Sequence, residues 1–227
     1  MKKLVFLTGA GISAESGITT FRDSGGLWEQ YPVQQVASIE GYWADPELVI
    51  NFYNERRRQL SQVKPNRAHK IVAELQERYD VVVVTQNVDN LHEMAGSRNV
   101  VHLHGELTKA TSTDSPNNPS QIVELDGDIK IGDKAKDGSQ LRPFIVWFGE
   151  AVPMIEPAAI AVNQADIVVV VGTSLNVYPA AGLLSYAKRG AEIYLIDPKP
   201  NVPQGLGVHV IAKKATEGMA ELQNLLS

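Results

Sequence analysis

Cysteine is missing from this 227-residue chain. The absence excludes disulfides, thiol nucleophiles and thiolate zinc sites, while leaving the cellular compartment open. Charge of one sign is also in short supply. Twenty-one Lys and Arg against 26 acidic residues give a net charge of −5, which argues against a nucleic-acid binder that relies on a strongly basic surface. A positively charged substrate fits this balance better. No apolar run approaches the roughly 18 residues of a membrane span. The start, Met1-Lys2-Lys3 followed by Leu4 to Leu7, imitates a signal peptide, but Gly9, Gly11 and Glu15 break the run within one turn. It is read as a first buried strand, and a soluble cytoplasmic protein, without a membrane partner, is the expectation.

What the chain has is core material. Its hydrophobic fraction of 44% suffices for one large domain, or a domain with a smaller insert. Leu4–Thr8, Val81–Thr85, Ile167–Val171 and Glu192–Ile196 are continuously apolar rather than alternating, as in parallel strands covered on both faces. Helical patterns fall at Pro46–Gln62, Asn66–Arg78, Glu156–Ala165, Pro179–Arg189 and Thr216–Leu226. Strands alternating with helices predict an α/β, Rossmann-like doubly wound parallel sheet. About seventy residues separate the first two strands, and a second gap, Leu107 to Arg142, is rich in Ser, Thr, Asp, Gly and Pro. Both gaps predict insertions that form a smaller lobe, with Gln121–Leu125 and Asp128–Ile131 as a hairpin. A cleft between lobes is a common ligand site.

Polar residues follow each predicted strand. Gly9-Ala10-Gly11-Ile12-Ser13-Ala14 fits G-x-G-x-x-A, where glycines permit a tight turn and close approach to a pyrophosphate, and the next helix offers its positive end. A purely structural glycine turn is the alternative. A dehydrogenase needs a second strand ending in an acid about twenty residues on. Here that region is the polar stretch Phe21-Arg22-Asp23-Ser24-Gly25-Gly26-Leu27-Trp28, which disfavours hydride transfer. Gln86-Asn87-Val88-Asp89, Gly172-Thr173-Ser174 and Asp197 close the other strands, at the ends where open α/β sheets bind ligands.

These blocks, with Gly17-Ile18, Leu91-His92, Ala95-Gly96, His104-Gly105, Arg142-Pro143, Val146-Trp147-Phe148-Gly149-Glu150 and Val177-Tyr178-Pro179-Ala180, resemble the sirtuins, NAD-dependent protein lysine deacylases. They occur in the family's order over nearly the whole chain. The resemblance implies one catalytic domain, with a Rossmann-like lobe of about 1–30, 80–107 and 143–227 and a small lobe of about 31–79 and 108–142. It implies that Gly9, Ala10, Gly11, Ile12, Ser13, Glu15, Phe21, Arg22 and Trp28 wrap NAD, which is consumed as a co-substrate. Gln86 would also bind NAD, and Asn87 and Asp89 would hold the nicotinamide amide. Gly172, Thr173 and Ser174 would contact phosphates and ribose, Asp197, Pro198 and Lys199 the adenosine, and Ala215 the adenine side. Val146, Phe148 and Gly149 would form the wall along which the acyl-lysine peptide adds as a strand.

His104 and Asn87 are the expected catalytic residues. An imidazole titrates near neutrality, which suits removal of a ribose hydroxyl proton. A structural histidine, or a metal pair with His102, is the alternative; no third ligand is evident. His92 and His69 fall in helical patterns and are expected to be structural or solvent-facing.

The pattern around Asp45–Gln62 carries an apolar stripe of Val49, Phe52, Tyr53 and Leu60, whose middle position is Arg56. An arginine on a buried face is costly without a partner. In similar sirtuins a tyrosine and arginine at this spacing read the carboxylate of succinyl- or malonyl-lysine, so Tyr53 and Arg56 imply acidic acyl substrates, with acetyl still accepted. The alternative is an Arg56 that reaches the lobe edge or pairs with a neighbouring acid. Arg57 and Arg58 read as surface charge. Most sirtuins also bind structural zinc through four cysteines; here Ser112, Ser115, Lys134 and Asp137 occupy those places, a poor zinc set. The expectation is a metal-free lobe with a Lys134–Asp137 contact. A protein ADP-ribosyltransferase and a non-catalytic NAD or ADP-ribose binder are the competing functions.

Overall fold

The computed structural model describes residues 1–18, 31–173, 180–201 and 207–226. Branched apolar residues fill its central parallel strands because both faces are covered: β1 (Lys3–Thr8), β2 (Asp80–Thr85), β7 (Ile167–Val171) and β8 (Glu192–Ile196). The short strands β3 (Val100–His102) and β9 (Val208–Ile211), absent from the sequence expectation, extend the sheet to the order β3-β2-β1-β7-β8-β9. Register is set by β1, which pairs in parallel with β2 (Leu4 with Val81) and with β7 (Leu4 with Ile167). Alternate residues of β1 face opposite layers. Leu4 and Phe6 pack with Ile71, Val72, Met219 and Leu222, whereas Val5 and Leu7 pack with Ala158, Ala161, Val162 and Leu183.

The helices form largely where expected, at Pro46–Leu60, Arg67–Glu74, Ile155–Gln164 and Ala215–Leu225. Two have local reasons to start. Asp45 accepts a hydrogen bond from Leu48 N ahead of a proline in the first turn, and Asn66 with His69 forms a reciprocal capping box. The expected helix Pro179–Arg189 is a 3₁₀ segment, Ala180–Tyr186, within the described residues. None of the described helices is long and apolar enough to cross a membrane.

The smaller lobe has its own core, where Tyr42, Val49, Ile50, Phe52, Tyr53, Ile129 and Trp147 are buried together. Its sheet corrects the expected hairpin. Val123–Glu124 (β5) pairs antiparallel with β4 (Gly105–Ser112), whose other edge pairs with β6 (Leu141–Ile145), and residues 128–131 belong to no strand. Ile129 is held instead by Asn54, which donates to its carbonyl (2.8 Å) and accepts from its amide (3.0 Å). Arg57 is likewise not plain surface charge. It is half-buried and donates to Leu107 O (2.8 Å), Asn54 Oδ1 (2.9 Å) and Gly127 O (3.2 Å), which ties the helix to the strand layer. Burial lowers its pKa to about 10, against the pull of Asp128. Arg58 is exposed as expected and lies 3.8 Å from Asp128.

Ser112, Ser115 and Asp137, three of the residues expected at the zinc-ligand places, lie in a hydroxyl–carboxylate cluster. Ser112 Oγ donates to Asp137, lies 2.9 Å from Ser139 Oγ, and accepts from the amides of Asp114 (3.1 Å) and Ser115 (2.9 Å). Lys134 makes no ion pair with Asp137 among the described residues; its backbone bridges to Gln140 instead. No group of three or more His, Cys, Asp or Glu side chains that could hold a metal occurs among the described residues. Ser112 is fully buried, so Ser112→Ala strands two amides and is expected to cost about 1–3 kcal/mol in denaturant unfolding. A chelator is expected to leave the midpoint unchanged; a chelator-sensitive midpoint would contradict this account of the lobe.

Candidate active site

The carboxyl ends of β1, β2, β7 and β8 converge, and the glycines explain how closely. Gly9 N donates to Val171 O (3.1 Å), Gly11 N to Gly172 O (2.9 Å) and Gly172 N to Ile196 O (3.0 Å). A Cβ on Gly9 would sit 2.6 Å from Thr173 Cβ, and one on Gly11 2.6 Å from Gly172 Cα. Only bare backbone lets the two turns meet, so the glycine pattern has a structural use whatever it binds. Gln86 Nε2 spans β1 to reach Thr173 Oγ1 (2.9 Å).

Beneath these turns lies a buried polar knot. Ser13 Oγ donates to Asp89 Oδ2 (3.0 Å) and accepts from Asn87 Nδ2 (3.1 Å). Asn87 Nδ2 also donates to Gly9 O (3.1 Å), and Leu91 N donates to Asp89 Oδ1 (3.2 Å). His69 Nδ1 accepts from Asn66 N (3.3 Å), which leaves Nε2 as its donor toward Ser13 Oγ (3.4 Å). His92 is buried too, with Nε2 at 3.2 Å from Thr8 Oγ1 and no hydrogen-bond partner at Nδ1. Neither histidine is solvent-facing. Burial lowers the His69 pKa to about 4 and takes His92 well below its ordinary value, so both are neutral. Burial raises the Asp89 pKa, opposed by Leu91 N–H, Ser13 and the charges of His102 and Arg56.

His104 sits half-buried at the edge of this knot. Its Nδ1 lies 2.9 Å from Gln86 O, a pure acceptor, so Nδ1 carries the proton and Nε2 keeps its lone pair. Burial lowers its pKa, against the Gln86 carbonyl, which favours the neutral base at pH 7. The next residue must be glycine. Gly105 has φ +80°, and a Cβ there would lie 2.1 Å from Phe144 O. His102 does not point with His104 toward a shared metal; its Nε2 contacts Glu93 at 2.7 Å.

The expected peptide wall is braced from both sides. Val146 N donates to His104 O (2.9 Å), while Phe148 N donates to Ala37 O (2.9 Å) and Phe148 O accepts from Ile39 N (3.0 Å). Gly149 takes φ +89°, turning the chain toward Glu150. That carboxylate grips Arg142 through bonds of 2.7 and 2.8 Å and accepts from Trp147 N (2.9 Å), while the buried guanidinium lies 3.7 Å above the Trp147 ring. The Arg142…Glu150 pair, missed as a functional element, thus shapes the wall. Opposite, Tyr53 is buried and the half-buried Arg56 guanidinium carbon lies 5.8 Å from both the Tyr53 and Phe52 ring centroids. Burial lowers the Arg56 pKa, and the Tyr53 and Asp89 charges oppose that shift.

At the other end, Glu15 accepts from Thr216 N (2.9 Å) and Oγ1 (2.8 Å), which joins the first turn to the helix that begins at Ala215. Asp197 Oδ1 accepts from Lys199 N (2.8 Å), which shapes the turn through Pro198 after β8. Ala10 and Ile12 lie in the short helix Ala10–Ser13. Phe21, Arg22, Trp28 and Ser174 lie outside the described residues.

The Sir2 family model matches residues 9–179. A protein of Bacteroides thetaiotaomicron named NAD-dependent protein deacylase is 64% identical over 100% of this chain and 98% of its own length. A solved Sir2 homologue in complex with NAD is 42% identical, with a TM-score of 0.88 over 99% of this chain and 89% of that one. A Sir2 structure with a deacetylated p53 peptide and 3'-O-acetyl ADP-ribose aligns at 29% identity, a TM-score of 0.82, and 98% and 93% coverage. With that family match and those identities across a shared fold, the chain belongs to the Sir2 family.

Proposed function

We propose that this protein removes acyl groups from protein lysines at the expense of NAD, releasing nicotinamide, acyl-ADP-ribose and free lysine, and that it favours acidic acyl groups. The Rossmann-like lobe (about 1–30, 80–107 and 143–227) would carry the dinucleotide and the small lobe (about 31–79 and 108–142) would close the cleft. The activity named for its relatives supports the reaction. The acyl preference rests on one observation, a guanidinium beside the paired rings of Phe52 and Tyr53, 5.8 Å from each, on the apolar-stripe face of helix Pro46–Leu60.

In this reading Asn87 and Asp89 hold the nicotinamide amide, with the Asp89 carboxylate accepting from its N–H. Loss of nicotinamide leaves a cationic ribose carbon, which the acyl oxygen attacks. That oxygen is a poor nucleophile, so tight positioning along Val146, Phe148 and Gly149 makes the attack competitive. Nε2 of His104 then takes a ribose hydroxyl proton, so that this oxygen attacks the imidate carbon. The C–N bond to lysine breaks with a proton passing to the leaving amine, and one water opens the resulting bridged cation to acyl-ADP-ribose. Gly9 to Ser13 and Gly172 to Ser174 carry phosphates and ribose, with Asp197 to Lys199 and Ala215 toward the adenosine.

A succinyl or malonyl carboxylate would meet Arg56 as a bidentate partner, with the Tyr53 hydroxyl as an added donor. Losing charge-assisted bonds of about 1.5–3 kcal/mol corresponds to about a 10- to 100-fold effect. Arg56→Met is therefore expected to lower kcat/KM on a succinyl-lysine peptide by that factor while leaving the acetyl peptide within about threefold. Equal efficiency of wild type and variant on the succinyl peptide would contradict the assignment.

The pH profile tests the base. His104 works neutral, and burial favours its neutral form, so kcat/KM should hold as pH falls to 6.5 and decline only below it. His104→Ala should abolish turnover. An acid limb well above 6.5 in the wild type, or turnover by His104→Ala at the wild-type rate, would contradict the role.

A further inference from the structure

Residues 86–88 follow β2 without regular structure, yet three successive carbonyls are taken from one side. Gln86 O faces His104 Nδ1 (2.9 Å), Asn87 O faces His102 Nδ1 (3.1 Å), and Val88 O accepts from Leu107 N (2.7 Å). His102 has a second partner that His104 lacks among the described residues. Its Nε2 lies 2.7 Å from Glu93 Oε1, and its side chain is only 7% exposed. A carbonyl and a carboxylate both accept, so both ring nitrogens must donate, and His102 is an imidazolium.

Its surroundings sustain that charge. Burial opposes it, but the Glu93 hydrogen bond and charge, with Glu106 from β4, outweigh burial and raise the pKa. Lys109 lies 2.8 Å from Glu106 and 3.8 Å from Glu124, partly balancing the acids. On the loop side are Asp89, which faces the charges of His102 and Arg56, and the neutral His92.

We propose that the Glu93–His102 ion pair is a positioning device for the nicotinamide end of NAD, fixing the Asn87 carbonyl from behind. It touches no substrate, and it rests on the NAD site proposed above. Asn87 has its side-chain amide in the buried knot and its backbone carbonyl on a cation, so the residue is held at both side chain and backbone. The same cation lies near enough to Asp89 to favour its ionised form, the form that accepts from an amide N–H. Without the pair, the loop keeps its fold through His104 and Leu107 but loses the fixed orientation of Asn87 and the support for Asp89.

NAD affinity, measured on the full chain by calorimetry without peptide, separates positioning from bulk stability. His102→Asn is expected to weaken NAD about tenfold, and Glu93→Gln about threefold, with the acyl-peptide affinity and Tm close to wild type. Wild-type NAD affinity should decline as pH rises through the raised pKa of His102, and Glu93→Gln should move that decline to lower pH. Unchanged NAD affinity in both variants, or NAD and peptide affinities falling together with Tm, would overturn the proposal. A second test needs no variant. Ring nitrogen-15 shifts of His102 should show both nitrogens protonated at neutral pH, and a neutral tautomer would overturn it. Binding requires no turnover, so an enzyme that binds NAD as described but deacylates nothing would sink the deacylase reading alone.

Discussion

The site depends on a single hydroxyl. Ser13 Oγ donates once, to Asp89, and accepts twice, from Asn87 and His69, so every hydrogen-bonding position of the group is used. Its three partners come from the loop after β2 and from helix Arg67–Glu74, and Ser13 itself ends the first turn after β1. Buried polar groups are stable only when satisfied, and partial satisfaction is worse than none. This closed arrangement lets an amide and a carboxylate, Asn87 and Asp89, stay buried at the ends of the strands.

Around that point the structure spends glycine and arginine where geometry leaves no alternative. Gly9, Gly11 and Gly172 let neighbouring strand ends touch, and Gly105 turns the chain under a carbonyl just after the expected base. Arg142 and Glu150 brace the wall on one side, and Arg57 ties the small lobe's helix to its strands on the other. The Ser112–Asp137–Ser139 cluster performs the local cross-linking of the small lobe with hydrogen bonds. The expected NAD-site residues lie at the carboxyl ends of the sheet's strands, and Tyr53 and Arg56, proposed to read the acyl group, come from the insert.

Most of this was legible where the sequence signal is local. Val-rich runs such as Ile167–Val171 announce a buried parallel strand, and the stripe of Val49, Phe52, Tyr53 and Leu60 announces the buried face of a helix. The rest depends on non-local pairing. Val100–His102 and Val208–Ile211 are edge strands too short for a periodic signal, and β9 has two exposed residues. The hairpin expectation failed because Val123–Glu124 prefers β4, a strand of mixed polarity. Arg57 misled because a helical wheel shows which face a residue occupies, not which carbonyls a long side chain reaches. The charge on His102 could be read only once Glu93 and the Asn87 carbonyl were seen on opposite sides of its ring.

The measurement that bears most directly on the whole account is product stoichiometry. Purified protein given NAD and one peptide in acetyl, succinyl and unmodified forms should release one nicotinamide for each lysine freed, with the acyl mass appearing on ADP-ribose and no reaction of the unmodified peptide. ADP-ribose attached to the peptide, or NAD bound with no nicotinamide released under any acyl form, would contradict it.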